Sequence, residues 1–444
     1  MIRRIGVSAI IALLSLSFAA RAGLPEYVKK PEPDFAWNLE KVDKLSNGKV
    51  YTIHLISQNW QGIKWEHRLL VLQPKDVKPT DTMLLINTGG SPGGAMQYIA
   101  LELTKRIGSP VAILFNVPNQ PLYGGKKEDA LIAETFVRFL DDKGKDESWP
   151  LLFPMVKSVV KAMDALQEFT KKEWNHEVKS FVISGASKRG WTSWLTGAAD
   201  ERVKAIAPMV IDTLNMKPQM EHQLMCYGRP SEMVKDYVER NLIPMPPTPE
   251  AKRLWSMVDP YFYREKLKMP KLILNGANDP YWTVDALNLY WNDLPGEKYV
   301  CITPNAGHDL QEMPENGKPD LIKSRSRVLN GISAFVKCQV NNTAMPKQTW
   351  EHGNTEDGKL RLSIHTNSQP KAARLWVATS DTQDFRKSRW VEKEADITAA
   401  GKLITGVVPP PEKGCLAMYG EVDYEIDGIT YSLSTQVRVC AEKK

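Results

Sequence analysis

Between residues 82 and 337, short apolar runs alternate with longer helical stretches. A chain with that rhythm is restricted to a parallel sheet with helices on both faces, because each strand returns to the sheet through a helical crossover. The strand-like runs are 82–87, 111–116, 178–184, 205–211, 271–275 and 299–303. The helical ones are 96–106, 130–140, 151–172, a segment from about Lys188, and 321–337. Two alternating strands, 49–57 and 64–73, precede them.

The alternation stops in an insert at about 213–269. It carries Met216, Met220, Met225 and Met233, a Pro-rich stretch over 243–249, and the aromatics Trp255, Tyr261, Phe262 and Tyr263. It reads equally as a lid over the sheet's carboxyl edge and as a helical excursion packed with Met and aromatic residues. Beyond Asn341 only strand and turn patterns remain, at 359–365, 373–379, 403–408, 415–426 and 430–439. Their spacing predicts a small β-sandwich of immunoglobulin-like type over 347–444, leaving 23–340 as the α/β domain.

The first 22 residues differ from the rest. Arg3 and Arg4 precede an apolar stretch, and Ala20-Arg21-Ala22 has the small-x-small form of a cleavage site. This predicts a removable secretory signal and a periplasmic or secreted protein. No other apolar run approaches the ~20 residues that cross a bilayer, so no integral membrane segment is expected after signal removal. Arg3, Arg4 and Arg21 contribute three charges to the formal net charge of +6, and no basic run remains. Nucleic-acid binding is therefore unsupported. The absence of CxxC and HExxH spacing leaves no motif for a metal, and no cofactor is expected. Export makes disulfides possible among Cys226, Cys301, Cys338, Cys415 and Cys440. Five is odd, so at least one thiol stays unpaired within the chain. Cys415 and Cys440, in strand-like segments of one region, are a candidate pair, and five reduced thiols are the alternative.

Three segments carry chemistry. Ser184-Gly185-Ala186-Ser187-Lys188-Arg189-Gly190 reads as strand, sharp turn and helix, the form of a nucleophile elbow. Gly185 stands two before the serine, but Arg189 occupies the second place after it and the next glycine comes one residue late. A literal Gly-x-Ser-x-Gly at Gly89-Gly90-Ser91-Pro92-Gly93 is rejected as the elbow, because Pro92 has no N–H to offer an oxyanion. That loop instead suits an oxyanion role, with backbone N–H groups of Gly90 or Ser91 joining that of Lys188. Asn275-Gly276-Ala277-Asn278-Asp279 follows a strand and places Asp279 as the acid, favoured over Asp212. Asn305-Ala306-Gly307-His308 supplies a base in a Gly-flanked loop. The order Ser, Asp, His is that of α/β-hydrolases. The predicted fold is thus an α/β-hydrolase with a C-terminal β-sandwich-like domain.

These same segments, with Trp191-Thr192, Gly197-Ala198-Ala199-Asp200 and Asn87-Thr88-Gly89-Gly90, resemble the PhoPQ-activated pathogenicity-related protein family. The resemblance spans most of the mature chain, and the Ser187 segment is its most specific part. It implies an exported bacterial α/β-hydrolase-like protein tied to virulence or resistance to cationic peptides, with relatives among secreted proliferation repressors. It also implies Ser187, Asp279 and His308 as the triad, and no substrate.

Two functions follow. One is an exported serine hydrolase acting on a small ester or peptide, with Tyr281, Trp282, Tyr290 and Trp291 either walling its pocket or filling its core. The other is a non-catalytic binding or signalling protein that keeps the fold, with the C-terminal domain meeting a protein partner. Arg189 and the late glycine motivate the second.

Overall fold

A computed structural model describes residues 23–75, 77, 79–313, 318–398 and 400–442, so the expected signal lies outside the described residues. Among the described residues, nine strands form the main sheet: β1 (Ala36–Leu45), β2 (Gly48–Trp60), β3 (Ile63–Pro74), β4 (Thr82–Asn87), β5 (Val111–Leu114), β6 (Ser180–Ala186), β7 (Val203–Met209), β8 (Lys271–Gly276) and β9 (Lys298–Thr303). Their order is β1-β2-β3-β5-β4-β6-β7-β8-β9. The first three run antiparallel, as does β3 against β5, and every pairing from β5 to β9 is parallel. This is the α/β-hydrolase fold with one added antiparallel edge strand. The connection direction reverses between β4 and β6, and the carboxyl ends of strands at such a switch point open a ligand crevice.

Side-chain alternation along the strands divides the core. Leu69, Val71, Met83, Leu85 and Ile183 face one apolar layer. Leu70, Leu72, Leu84, Ile86 and Val182 face the other. The helices cover both faces: α1 (Leu24–Lys29), α2 (Gly94–Ile107), α3 (Glu128–Asp141), α4 (Leu152–Trp174), α5 (Lys188–Ala199), then α6 (Met216–Tyr227), the four-residue α7 (Lys235–Val238) and α8 (Pro249–Val258) within the insert, and α9 (Ser326–Asn341).

The C-terminal strands are β10 (Gln348–Asn354), β11 (Leu360–Thr366), β12 (Ala372–Ser380), β13 (Val391–Glu394), β14 (Asp396–Ile397), β15 (Leu403–Val408), β16 (Cys415–Ile426), β17 (Ile429–Ser434) and β18 (Arg438–Ala441). They make two antiparallel sheets, one ordered β10-β11-β15-β14 and the other β13-β12-β16-β17, with β18 also on β16. The sheets meet through glycines. A Cβ on Gly406 would lie 2.4 Å from Leu375 Cδ1, and one on Gly420 would lie 2.5 Å from Ile364 Cδ1.

The structure adds elements that the sequence pattern does not announce. Strands β1 and β13 are largely exposed, so they lack the apolar alternation that marks a half-buried strand. The expected strand over 430–439 is two strands, β17 and β18. All five cysteines are free thiols. Cys415 and Cys440 do not pair, because Cys415 stands opposite Ala441 and Cys440 opposite Leu416. One step out of register, they project from opposite faces of the sheet.

Candidate active site

Ser187 sits between β6 and α5 at φ 58°, ψ −128°, a backbone region that a residue with a Cβ enters only under strain. Its N–H donates to the Met209 carbonyl at 2.9 Å. The turn is closed by two glycines. A Cβ on Gly185 would lie 2.7 Å from the Arg189 carbonyl oxygen. One on Gly190 would lie 2.6 Å from Ile211 Cγ2 and 2.9 Å from the carbonyl oxygens of Gly185 and Met209. The late glycine is therefore the one that the helix-to-strand contact requires. Asn87, at the end of β4, ties strand and helix together by donating to the carbonyls of Ser184 at 2.9 Å and Arg189 at 3.2 Å.

Arg189 has a structural task. Its Nε donates to the Val117 carbonyl at 2.6 Å, and its two terminal nitrogens grip Glu128 at 2.6 and 2.7 Å. The guanidinium lies under Gly89, where any Cβ would strike it at 2.3 Å. Lys188 completes the cluster, reaching Glu128 at 3.0 Å and Asp129 at 3.3 Å. Burial pushes the Glu128 carboxyl up, but Arg189 and Lys188 outweigh it and hold that carboxyl at about 2. Sequence reasoning missed Glu128 and Asp129. Two acids opening a helix read only as partners of its dipole.

The other two expected triad members meet. His308 Nδ1–H donates to Asp279 Oδ2 at 2.8 Å. Asp279 is buried, and its second oxygen accepts the Tyr281 N–H at 2.9 Å. The imidazole packs on the Tyr281 ring with centroids 4.2 Å apart. His308 Nε2 is buried and has no hydrogen-bond partner among the described residues, so the bond to Ser187 Oγ is not made. The alternative acid, Asp212, is engaged elsewhere, accepting from the Tyr290 hydroxyl and from Asn275 Nδ2. Burial pushes its carboxyl up to about 7.

The C-terminal domain holds the loops that bear Asp279 and His308. Asn278, next to the acid, donates to the carbonyls of Phe385, Arg386 and Ser388 at 3.1, 3.4 and 2.8 Å. Asn305 exchanges two hydrogen bonds with the Trp390 backbone at 2.8 and 3.0 Å.

Ser187 and Lys188 line a narrow apolar chamber of about 80 Å³ that is partly open to solvent. Its far wall comes from the insert, including Met216, Met220, Ile243 and Trp255, and Tyr281 and Trp282 close one side. Tyr290 and Trp291 are core residues instead. Gly90 and Ser91 line a different cavity, beside His67 and Asn116. Of the three expected donors, Lys188 is the one that lines the Ser187 chamber. Among the described residues, no helix is long and apolar enough to cross a membrane.

The profile of the PhoPQ-activated pathogenicity-related protein family matches residues 24–386. The chain belongs to that family. Autocrine proliferation repressor protein A of Dictyostelium discoideum is 32% identical over 456 residues, covering 94% of this chain and 90% of its own. Solved structures of similar shape include acetyl xylan esterase 1 from Thermoanaerobacterium sp., with 14% identity, TM-score 0.46, and 66% of this chain against 87% of that one covered. Acylaminoacyl peptidase from Pyrococcus horikoshii has 14% identity and TM-score 0.43, covering 69% of this chain and 50% of its own. In this family member, the residue at the second place after the serine is an ion-paired brace for the elbow.

Two outcomes test this account. Arg189→Met removes the bidentate clamp on Glu128, leaves Lys188 as its remaining cation and lowers unfolding free energy by about 1–3 kcal/mol, measured by urea denaturation. An unchanged midpoint would remove the brace from the account. Asp212 gives a pH signature. Its folded-state value near 7 stands above its ordinary 3.8, so between these the native state keeps a proton that the unfolded chain has lost. Stability is therefore fullest below the lower value and falls by up to about 1.4 kcal/mol per pH unit until the upper one is passed. Asp212→Asn flattens that slope in denaturation curves at pH 4.5 and 7.5.

Proposed function

We propose that this protein is a serine hydrolase that cleaves an ester or amide bond next to an apolar group. The observation that carries the reading is the strained Ser187 at the head of α5, facing an apolar chamber, in the chain order and fold where the Asp279–His308 pair serves such a serine.

The chemistry follows from the positions. Ser187 Oγ attacks the substrate carbonyl carbon while His308 Nε2 takes the hydroxyl proton. Asp279 holds Nδ1–H, which keeps Nε2 the basic nitrogen and stabilises the imidazolium. The oxyanion meets the Lys188 backbone N–H, where the positive end of a twelve-residue helix dipole adds to it. Collapse expels an alcohol or amine, which takes the proton from His308. Water then repeats the attack on the acyl-enzyme and frees Ser187.

The chamber wall favours substrates that place an aliphatic or aromatic group beside Trp255 and Met220. The Ala20-Arg21-Ala22 signature supports action in the periplasm or outside the cell. A role in virulence or in resisting antimicrobial peptides rests on the family alone.

The rival is a binding protein that no longer turns over substrate, and the missing Ser187–His308 hydrogen bond favours it. Such bonds are often long in sites without substrate.

A fluorophosphonate probe separates the two. The hydrolase forms a covalent adduct that mass spectrometry places on Ser187. Ser187→Ala abolishes it and lowers hydrolysis of an apolar acyl ester by about 10³-fold or more. No adduct on folded protein supports the binding protein instead.

A further inference from the structure

Away from Ser187, α6 presents His222 and Cys226 one turn apart, on the same helix face. Asp285, six residues after the triad acid, approaches them from the loop beyond β8. Its Oδ1 lies 2.8 Å from His222 Nε2. Cys226 Sγ lies 3.6 Å from the same nitrogen. The nitrogen, sulfur and carboxylate donors all fall within 4.8 Å of one another. A fourth group closes the cluster from the C-terminal domain, Gln383 Oε1, at 3.3 Å from Cys226 Sγ. Cys226 is buried, and the His222 and Asp285 side chains are mostly buried.

We propose that His222, Cys226 and Asp285, with Gln383 Oε1 as fourth donor, bind one zinc-type divalent cation. A tetrahedral zinc ion sits about 2.0 Å from nitrogen or oxygen and about 2.3 Å from sulfur, which sets its donors about 3.3–3.6 Å apart. The separations of Cys226 Sγ from His222 Nε2, 3.6 Å, and from Gln383 Oε1, 3.3 Å, lie at that spacing, and the His222–Asp285 pair reaches it when its hydrogen bond opens by about half an ångström. Thiolate with imidazole selects zinc or cobalt over magnesium and calcium, which prefer all-oxygen sets. Binding displaces two protons to solvent, one from the Cys226 thiol and one from between His222 Nε2 and Asp285.

The ion's role is to fasten three segments. α6 is already strapped to the 281–286 loop: Gln219 donates to the Ala286 carbonyl, Gln223 to that of Tyr281 and the Tyr227 hydroxyl to that of Trp282. Gln383 lies two residues before Phe385, whose carbonyl receives Asn278. A cation here therefore joins the chamber's insert, the loop following Asp279 and the C-terminal domain at one point, without touching Ser187.

The test is cobalt titration of the purified, chelator-treated full chain. One equivalent of Co²⁺ should give a near-ultraviolet sulfur-to-cobalt charge-transfer band and the strong visible bands of a tetrahedral ion, both displaced by Zn²⁺. Cys226→Ser should abolish the charge-transfer band, and His222→Gln should weaken Co²⁺ binding at least tenfold. Cys440→Ser and Ser187→Ala should leave the spectrum intact, which keeps this result separate from catalysis. Because α6 substitutions can disturb folding, zinc K-edge absorption of the unaltered protein is the second measurement. It should show one sulfur at about 2.3 Å and nitrogen or oxygen donors at about 2.0 Å. Absence of the charge-transfer band, its survival in Cys226→Ser, or a zinc shell without sulfur would each overturn the proposal.

Discussion

The backbone at Ser187 lies in a region that costs a non-glycine residue about 1–3 kcal/mol, and it persists because its surroundings leave no alternative. Gly185 and Gly190 let α5 come within touching distance of β6 and β7, where even one methyl group would strike backbone oxygens. Asn87 then bonds β6 and α5 together from the neighbouring strand. The strain is the reason that the serine side chain projects into the chamber, free of its own helix. Packing that prevents the turn from relaxing is also packing that keeps Ser187 in place.

Charge does the same work one layer further out. Lys188 and Arg189 follow the serine directly, and their side chains turn back onto the start of α3, Arg189 onto Glu128 and Lys188 onto Glu128 and Asp129. A buried guanidinium needs its hydrogen bonds filled, and here Val117 and Glu128 fill them. The elbow is consequently fastened to α3, which also packs against α7 and α8 of the insert. One ion cluster thus connects the position of Ser187 to the wall of its chamber.

The C-terminal domain completes the arrangement from the opposite side. The loops bearing Asp279 and His308 each contribute one asparagine, Asn278 and Asn305, to the backbone around residues 385–390. Amide side chains satisfying those carbonyls hold the Asp279 and His308 loops against one stretch of the C-terminal domain. The domain is part of the site's scaffold, whatever else its outer surface does.

Strand rhythm and the Ser, Asp, His order are properties of the linear chain, so the sheet, its helices and the Asp279–His308 pair were legible from residues alone. Apolar runs reveal strands that are buried, which is why β4 to β9 were found and the exposed β1 and β13 were not. The pattern around Ser187 was legible but ambiguous, since an arginine at the second place after the serine looks like decay until its partner is known. That partner lies 61 residues away in Glu128, and the clamps on the triad loops span 85 to 110 residues. No spacing or periodicity encodes contacts of that range. The sequence by itself determined the fold and the identities in the candidate triad, because these follow from local propensity and chain order. Only the tertiary structure decided that Arg189 is a brace, that Gly90 and Ser91 face another cavity, and that the cysteines stay apart, because each depends on which distant surfaces the folded chain presses together.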